Sequence, residues 1–314
     1  VPRLAIPAAD EILDRYFPVL DHGFVALTDY MGGDLAVERF ARGSYEIAPQ
    51  ARSIADTRRL LRYLMRHRHT SPFESTELSF HIGMPIFVAR QWMRHRTSNA
   101  NEISGRYVEL PDVVYTPCSS EVCFQSSDNK QGSGGPVSPA QYEDFVELHD
   151  FLARQAFSSY KENLADGIAR EMARIDLPLS TYTYFNWKMD LHNLFHFLSL
   201  RCKPDAQAQT RSFADVIAGI VHKVAPICFE AFLDYRFDAV SFTRMEMAVL
   251  RDFLDGYDEE DLRHALIAEG VDNKREQGEF FAKLRGFPEK TFGLDMNAAL
   301  EGRQIMELIH GAGS

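Results

Sequence analysis

Apolar and polar positions recur with readable periods along most of the chain, and each period predicts an element. Residues 23–30 are rich in β-branched and aromatic side chains and read as a strand. Over Ser53–Arg68, Ile54, Leu60, Leu61 and Leu64 give one apolar helical face, with Ser53 placed as the cap and Asp56 three residues on. Glu77–Ile82 alternates as a second strand, Gly83 breaks it, and Pro85 opens a helix running through Trp92. The polar, glycine-containing run 94–106 reads as a loop at the end of that helix. From Ala140 the pattern is helical over about 140–165, 167–175, 189–201 and 206–235, interrupted by a strand at Leu179–Trp187. Pro117–Ser138, with Gly132, Gly134, Gly135 and Pro136, reads as a mobile surface insertion. The predicted organisation is one main domain over 1–237 and a helical C-terminal extension over 238–314, with segments such as Glu259–Glu269 amphipathic. Few strands and many helices predict an α/β (α+β) domain with one modest sheet.

Charge adds a constraint. Of 314 residues, 34 are Lys or Arg and 45 are Asp or Glu, a formal net charge of −11 at pH 7. A hydrophobic content of 45% with 25% charged residues excludes wholesale disorder and collagen-like structure. The acidic balance argues against non-specific binding to a nucleic-acid backbone. The longest apolar runs, such as Pro85–Ala89 and Leu194–Leu200, fall far short of the ~20 residues of a membrane span. Val1-Pro2-Arg3-Leu4 lacks the basic start and apolar core of a secretory leader, and four cysteines make no disulfide scaffold. A cytoplasmic protein with no membrane and no nucleic-acid partner is expected. The arginines are nevertheless clustered: Arg58, Arg59, Arg62, Arg66 and Arg68, then Arg90, Arg94, Arg96 and Arg106. Such clusters are either ion-paired, solvated helix faces or a phosphate site.

The chemistry concentrates between Arg94 and Tyr107. Arg94-His95-Arg96 is followed by Ser98, Asn99, Asn101, Glu102, then Ser104-Gly105-Arg106. Guanidinium forks recognise phosphate bidentately, and a glycine beside a serine lets a backbone N–H approach an anion. The reading is a site for phosphate-bearing ligands. His67, His69, His81 and His95 have no partner that completes a familiar metal-ligand spacing. His192 and His196 stand four apart on a helix, but Asn193 replaces the glutamate of a zinc hydrolase, so no metal is expected.

Pro85–Arg96 followed by Asn101-Glu102-x-Ser104-Gly105-Arg106-Tyr107 resembles the flavin-dependent thymidylate synthase family, whose Arg-His-Arg, seven residues, Ser signature is met by Arg94-His95-Arg96 and Ser104. Ala41-Arg42-Gly43-Ser44, His67-x-His69-x-Ser71-Pro72-Phe73-Glu74, Arg170-Glu171-x-Ala173-Arg174 and Phe197-Leu198-x-Leu200-Arg201 extend the resemblance over roughly 22–237. The resemblance implies an α/β fold, a homotetramer with shared active sites, FAD as cofactor, and NADPH and methylene-tetrahydrofolate as co-substrates. It implies that Gln91, Arg94, Glu102, Ser104, Gly105, Arg106 and Arg174 hold the nucleotide. FAD would meet Ser44, Ser71, Arg94, His95, Arg96, Asn101 and Glu102, with Asp190, His192 and His196 facing the flavin. Arg201 would bind the uracil edge and His69 would help to place flavin and folate; these two are the catalytic candidates.

After Arg201 the chain departs from the family pattern, small-Asp-x-His-Ala-Gln-aromatic-Glu. Here Lys203 stands for the Asp, Asp205 for the His and Gln209 for the Glu. These changes are either a re-paired polar network or a reshaped nucleotide pocket. A branch of the family methylates both UMP and dUMP in nucleoside-antibiotic pathways. The expected activity is therefore FAD-dependent reductive methylation of uracil C5 in dUMP and/or UMP. The alternatives are a strictly dUMP-specific housekeeping enzyme or a degenerate relative that only binds FAD or nucleotide.

Overall fold

Five antiparallel strands carry the fold in a computed structural model, which describes residues 4–45, 50, 52–127, 130, 132–254 and 258–285. β1 (Tyr16–Val19), β2 (Gly23–Met31), β3 (Glu77–Pro85), β4 (Asn99–Glu102) and β7 (Tyr182–Asp190) lie in the order β1-β2-β3-β7-β4. β5 (Cys123–Gln125) and β6 (Ser133–Pro136) pair separately. The helices are α1 (Pro7–Asp10), α2 (Asp34–Arg42), α3 (Ile54–Arg66), α4 (Ile86–Trp92), α5 (Pro139–Ala165), α6 (Arg170–Ala173), α7 (Leu191–Arg201), α8 (Ala208–Val224) and α9 (Pro226–Phe232). A π-helical turn, Leu233–Phe237, continues α9. The architecture is thus α+β around one sheet, as the pattern predicts.

Several predicted boundaries shift for physical reasons. β3 runs through Gly83 because the glycine makes room for neighbours. A Cβ there would lie 2.8 Å from the Phe24 ring and 2.9 Å from the Tyr184 ring, one on each flanking strand. The run 94–106 is not all loop, since Asn99–Glu102 adds to the sheet edge against β7. The insertion is not formless: β5 and β6 make it a hairpin. The helix read over 206–235 divides at Ala225-Pro226, where proline cannot donate a helical N–H.

The core forms on the sheet face covered by helices. Phe213, Ile217, Ile220, Val221 and Val224 recur on one side of α8 and are buried. The Phe213 ring packs against Gly23 of β2. In α3 the Ser53 hydroxyl accepts from the backbone N of Asp56 at 3.1 Å, the predicted cap. Leu61, Leu64 and Met65 of that helix are buried, whereas Ile54, its first residue, is exposed.

The chain divides into two compact units, Val1–Ala239 and Val240–Ser314. Within the second, α10 (Arg244–Leu254), α11 (Glu259–Ala268) and α12 (Lys274–Arg285) are described. Arg263 stacks 4.9 Å from the Phe281 ring and donates to Gln277 Oε1 at 3.2 Å. Of the acidic run 255–261, the first three residues lie outside the described residues, and Asp258 caps α11. No helix among the described residues is long and apolar enough to cross a membrane.

Candidate active site

An aromatic cluster sets the geometry. Ring centroids lie 4.5 Å apart for Trp92 and Phe197, and 5.2 Å apart both for Trp92 and Trp187 and for Trp187 and Phe197. The cluster ties the end of α4 and the middle of α7 to β7. His95, just past α4, packs edge-on to Phe197 at 4.8 Å. Arg201 is the last residue of α7, and its Nε donates to His95 Nε2 at 3.0 Å. Burial pushes the His95 pKa down to about 4, and the Arg201 and His196 charges add to the effect. His95 is therefore neutral at physiological pH, with Nε2 the acceptor and the proton on Nδ1. Burial lowers the Arg201 pKa as well, but a guanidinium stays charged. Its Nε is engaged, while its two Nη groups make no hydrogen bond among the described residues.

Arg201 and Gln91 open into a cleft of about 1020 Å³. Its walls come from α4 (Phe87, Gln91), from 204–209 and Arg211, and from the insertion, notably Glu121 and Gln125. A relay of amides crosses it. Gln91 Nε2 donates to Gln207 Oε1, Gln207 Nε2 to Gln209 Oε1 at 3.1 Å, and Gln209 Nε2 to Glu121 Oε1 at 3.2 Å. Lys203 points elsewhere: it donates to the Phe237 carbonyl, with its ammonium 4.3 Å from the Phe237 ring centroid.

The two arginine clusters have different fates. In α3, Arg58 pairs with Glu230, Arg59 with Asp56, and Arg62 with Glu230 at 3.0 Å and with Asp234. Those cations serve the fold. Arg94 and Arg96 are exposed and have no ion pair or side-chain hydrogen bond among the described residues. Arg106 Nε lies 3.2 Å from Glu171 Oε2. Gly105 is buried, and a Cβ there would sit 2.9 Å from Arg174 Cδ, so the glycine admits the Arg174 stem. Tyr160 supports this corner from α5, its hydroxyl accepting from Leu110 N at 3.0 Å. Ser104, Gly105, Arg106 and Arg174 thus form a second group.

The remaining assigned residues are placed as follows. Glu102, on β4, accepts from the Thr183 hydroxyl. Asn101 lies opposite Asn186 of β7. Asp190 caps α7, its Oδ1 accepting from Asn193 N at 2.9 Å. His192 is half-buried and His196 exposed on that helix, with His196 6.4 Å from the His95 ring. His69 and Ser71 sit on the exposed turn between α3 and β3, where the His69 ring is 6.0 Å from Tyr63. Ser44 lines a separate cavity of about 640 Å³ with Arg39, Phe40 and Ser75. Of all the assigned residues, the structure gathers Gln91 and Arg201 in the large cleft, with His95 behind Arg201.

The family described as thymidylate synthase complementing protein matches residues 26–227. A flavin-dependent thymidylate synthase of Wolbachia pipientis wMel is 40% identical over 90% of this chain and 96% of its own length. Its counterpart in Treponema pallidum is 43% identical over 91% of this chain and 90% of its own. The chain belongs to the flavin-dependent thymidylate synthase family. Among solved structures, a UMP/dUMP methylase, PolB, from Streptomyces cacaoi bound with 5-Br dUMP superposes with TM-score 0.64 at 33% identity. That match covers 70% of this chain and 98% of PolB. The PolB structure bound with 5-Br UMP gives TM-score 0.62 at 34% identity, over 69% and 98% of the two chains.

Within this flavin-dependent thymidylate synthase family member, Tyr115, Glu121, Gln207 and Gln209 complete the cleft but were not among the expected site residues. Gln209 was visible as one of the departures after Arg201, whereas Gln207 keeps the glutamine of the family pattern. Glu121 gave no signal, because nothing local in a Ser/Gly-rich stretch shows which wall it will form.

Proposed function

We propose that this enzyme methylates uracil C5 of a uridine monophosphate, dUMP and/or UMP, reductively, with FAD as cofactor, methylene-tetrahydrofolate as carbon donor and NADPH as reductant. The observation that carries this reading is Arg201: a charged fork at a polar cleft, oriented through Nε by a neutral histidine, with both Nη groups available. Aimed at the N3/O4 edge of uracil, that fork favours the N3-ionised, enolate-like form and raises electron density at C5. The PolB structures bound with 5-Br dUMP and 5-Br UMP support the substrate class.

The donor set fits a flavin dinucleotide. Arg94 and Arg96, two residues apart and exposed, have no carboxylate to neutralise them among the described residues, which suits a diphosphate. Ser44, Ser71, His95, Asn101, Glu102, Asp190, His192 and His196 are the other residues assigned to it. When bound, the flavin supplies the redox chemistry and the carriage of the one-carbon unit. Arg94, Ser104, Gly105, Arg106 and Arg174 are assigned to the nucleotide, with Glu102 and Gln91. His69 is assigned to placing the folate. Among the described residues, Arg201 and Gln91 line the large cleft and the Arg94–Arg174 group does not; we read the site as shared between subunits of a homotetramer.

A paired turnover assay tests the reading. Purified protein receives FAD, NADPH and methylene-tetrahydrofolate with either dUMP or UMP, and mass spectrometry looks for the added methyl group. Product from both is the outcome expected of the broad activity. Product from dUMP alone makes the enzyme a strict thymidylate synthase, and product from neither refutes the proposal.

A further inference from the structure

The insertion carries a charge that the proposed chemistry leaves unused. Glu121 is held in its own turn, its Oε2 accepting from Cys118 N at 2.8 Å while its own N donates to Cys118 O at 3.0 Å. Burial works against the charge, but hydrogen bonds from Cys118, Tyr115 and Gln209 outweigh it and hold the carboxyl below its usual range. Glu121 is therefore an anion at neutral pH, and an ionised carboxylate can only accept.

That fixes the sense of every amide beyond it. Gln209 must turn its Nε2 toward Glu121, which leaves Oε1 for Gln207. Gln207 must then present Nε2 to Gln209 and Oε1 to Gln91. Gln91 must present Nε2 to Gln207, and its Oε1 is left at the cleft. An amide can rotate to swap its ends, so without an acceptor-only group at one end the relay has no preferred direction. The departure at position 209 follows from the same logic. A glutamate there would face the Glu121 carboxylate with no proton between them, whereas an amide can donate.

We propose that Glu121 is a positioning residue: through Gln209 and Gln207 it orients Gln91 so that the Gln91 carbonyl oxygen meets a hydrogen-bond donor of the nucleotide. The insertion is then a working wall of the substrate cleft. This inference rests on the reading of the cleft as the uridylate site.

The test uses the flavin-loaded full chain, with dUMP affinity read by calorimetry beside KM and kcat. Glu121→Ala and Gln209→Glu should each weaken dUMP binding and raise KM by about tenfold, the scale of one lost charge-linked hydrogen bond, while kcat changes by less than about threefold. A double variant, Glu121→Gln with Gln209→Glu, moves the acceptor-only group to position 209. Gln207 can still donate to that carboxylate, and the new amide at position 121 can donate across to it. Affinity should therefore return to within about threefold of the parent. Parent-like affinity in both single variants, or a double variant no better than Gln209→Glu, overturns the proposal. Calorimetry separates the two readings: tight dUMP binding with this mutational pattern but no turnover in the parent would refute the methylation reading and leave the relay standing. A double variant that recovers also answers the objection that the single changes merely unfold the chain.

Discussion

Arg201 can only donate, and His95, held neutral by burial, accepts from it; the pair works because neither side has an alternative role. His95→Ala should leave the guanidinium charged but free to swing. A misplaced catalytic group costs on the order of 10²-fold in turnover. His95→Gln supplies another acceptor and should recover much of that loss, whereas Arg201→Ala should abolish methylation. Single-turnover rates on flavin-loaded protein check all three, and a Gln variant as poor as Ala would refute the orienting role. The same pair gives stability a pH dependence. In the unfolded chain the histidine takes its proton near pH 6.5; in the folded protein it resists until about 4. Its contribution is present above pH 6.5 and is lost as pH falls toward 4. The denaturation midpoint should fall over that window less in His95→Gln than in the parent. At this scale the arginine and histidine motif was legible in the sequence, because charge-bearing side chains at fixed spacing are the message. What Lys203 does was not. Its partner is the carbonyl of Phe237, distant in sequence, which no local pattern announces.

Elements were read well where one period dominated and poorly where packing overrode it. The α3 helix follows its apolar face and its Ser53 cap closely. β4 escaped notice because all four of its residues are exposed, so no alternation marks it; only pairing with β7 makes it a strand. Gly83 misled in the opposite direction. Its absent side chain records two aromatic rings on neighbouring strands, not a chain break. Gly83→Ala should therefore overpack the sheet centre and cost about 1–3 kcal/mol, seen as a lower Tm. Glycine in a strand is itself slightly unfavourable, so an unchanged or raised Tm would mean that the rings of Phe24 and Tyr184 move aside freely.

On the scale of the whole molecule, the distribution of free charge and exposed apolar surface makes a single subunit look incomplete. A chain of net charge −11 leaves Arg94 and Arg96 without partners among the described residues, although it pairs Arg58, Arg59 and Arg62 with carboxylates. The 27-residue helix α5 buries Ala153, Phe157 and Tyr160, yet Leu148, Phe151 and Leu152 stand between 51 and 58% exposed on adjacent turns. A run of large apolar side chains at helical spacing is unfavourable to leave in water and is the kind of surface that subunit contacts cover. The second arginine group and the Arg201 cleft would then meet between chains. Two subunit variants test this sharply. Arg94→Ala and Arg201→Ala should each be inactive alone, since each removes one contributor from every site. If the two residues of a site come from different chains, co-assembled mixtures contain sites with both residues intact, and turnover reappears in proportion to the hybrid fraction. Leu148→Lys with Leu152→Glu in both chains should suppress that recovery, with sedimentation showing smaller species, if α5 holds the assembly together. Recovery absent from mixtures shown by mass spectrometry to be hybrid would place both residues in one subunit's site and refute the shared arrangement.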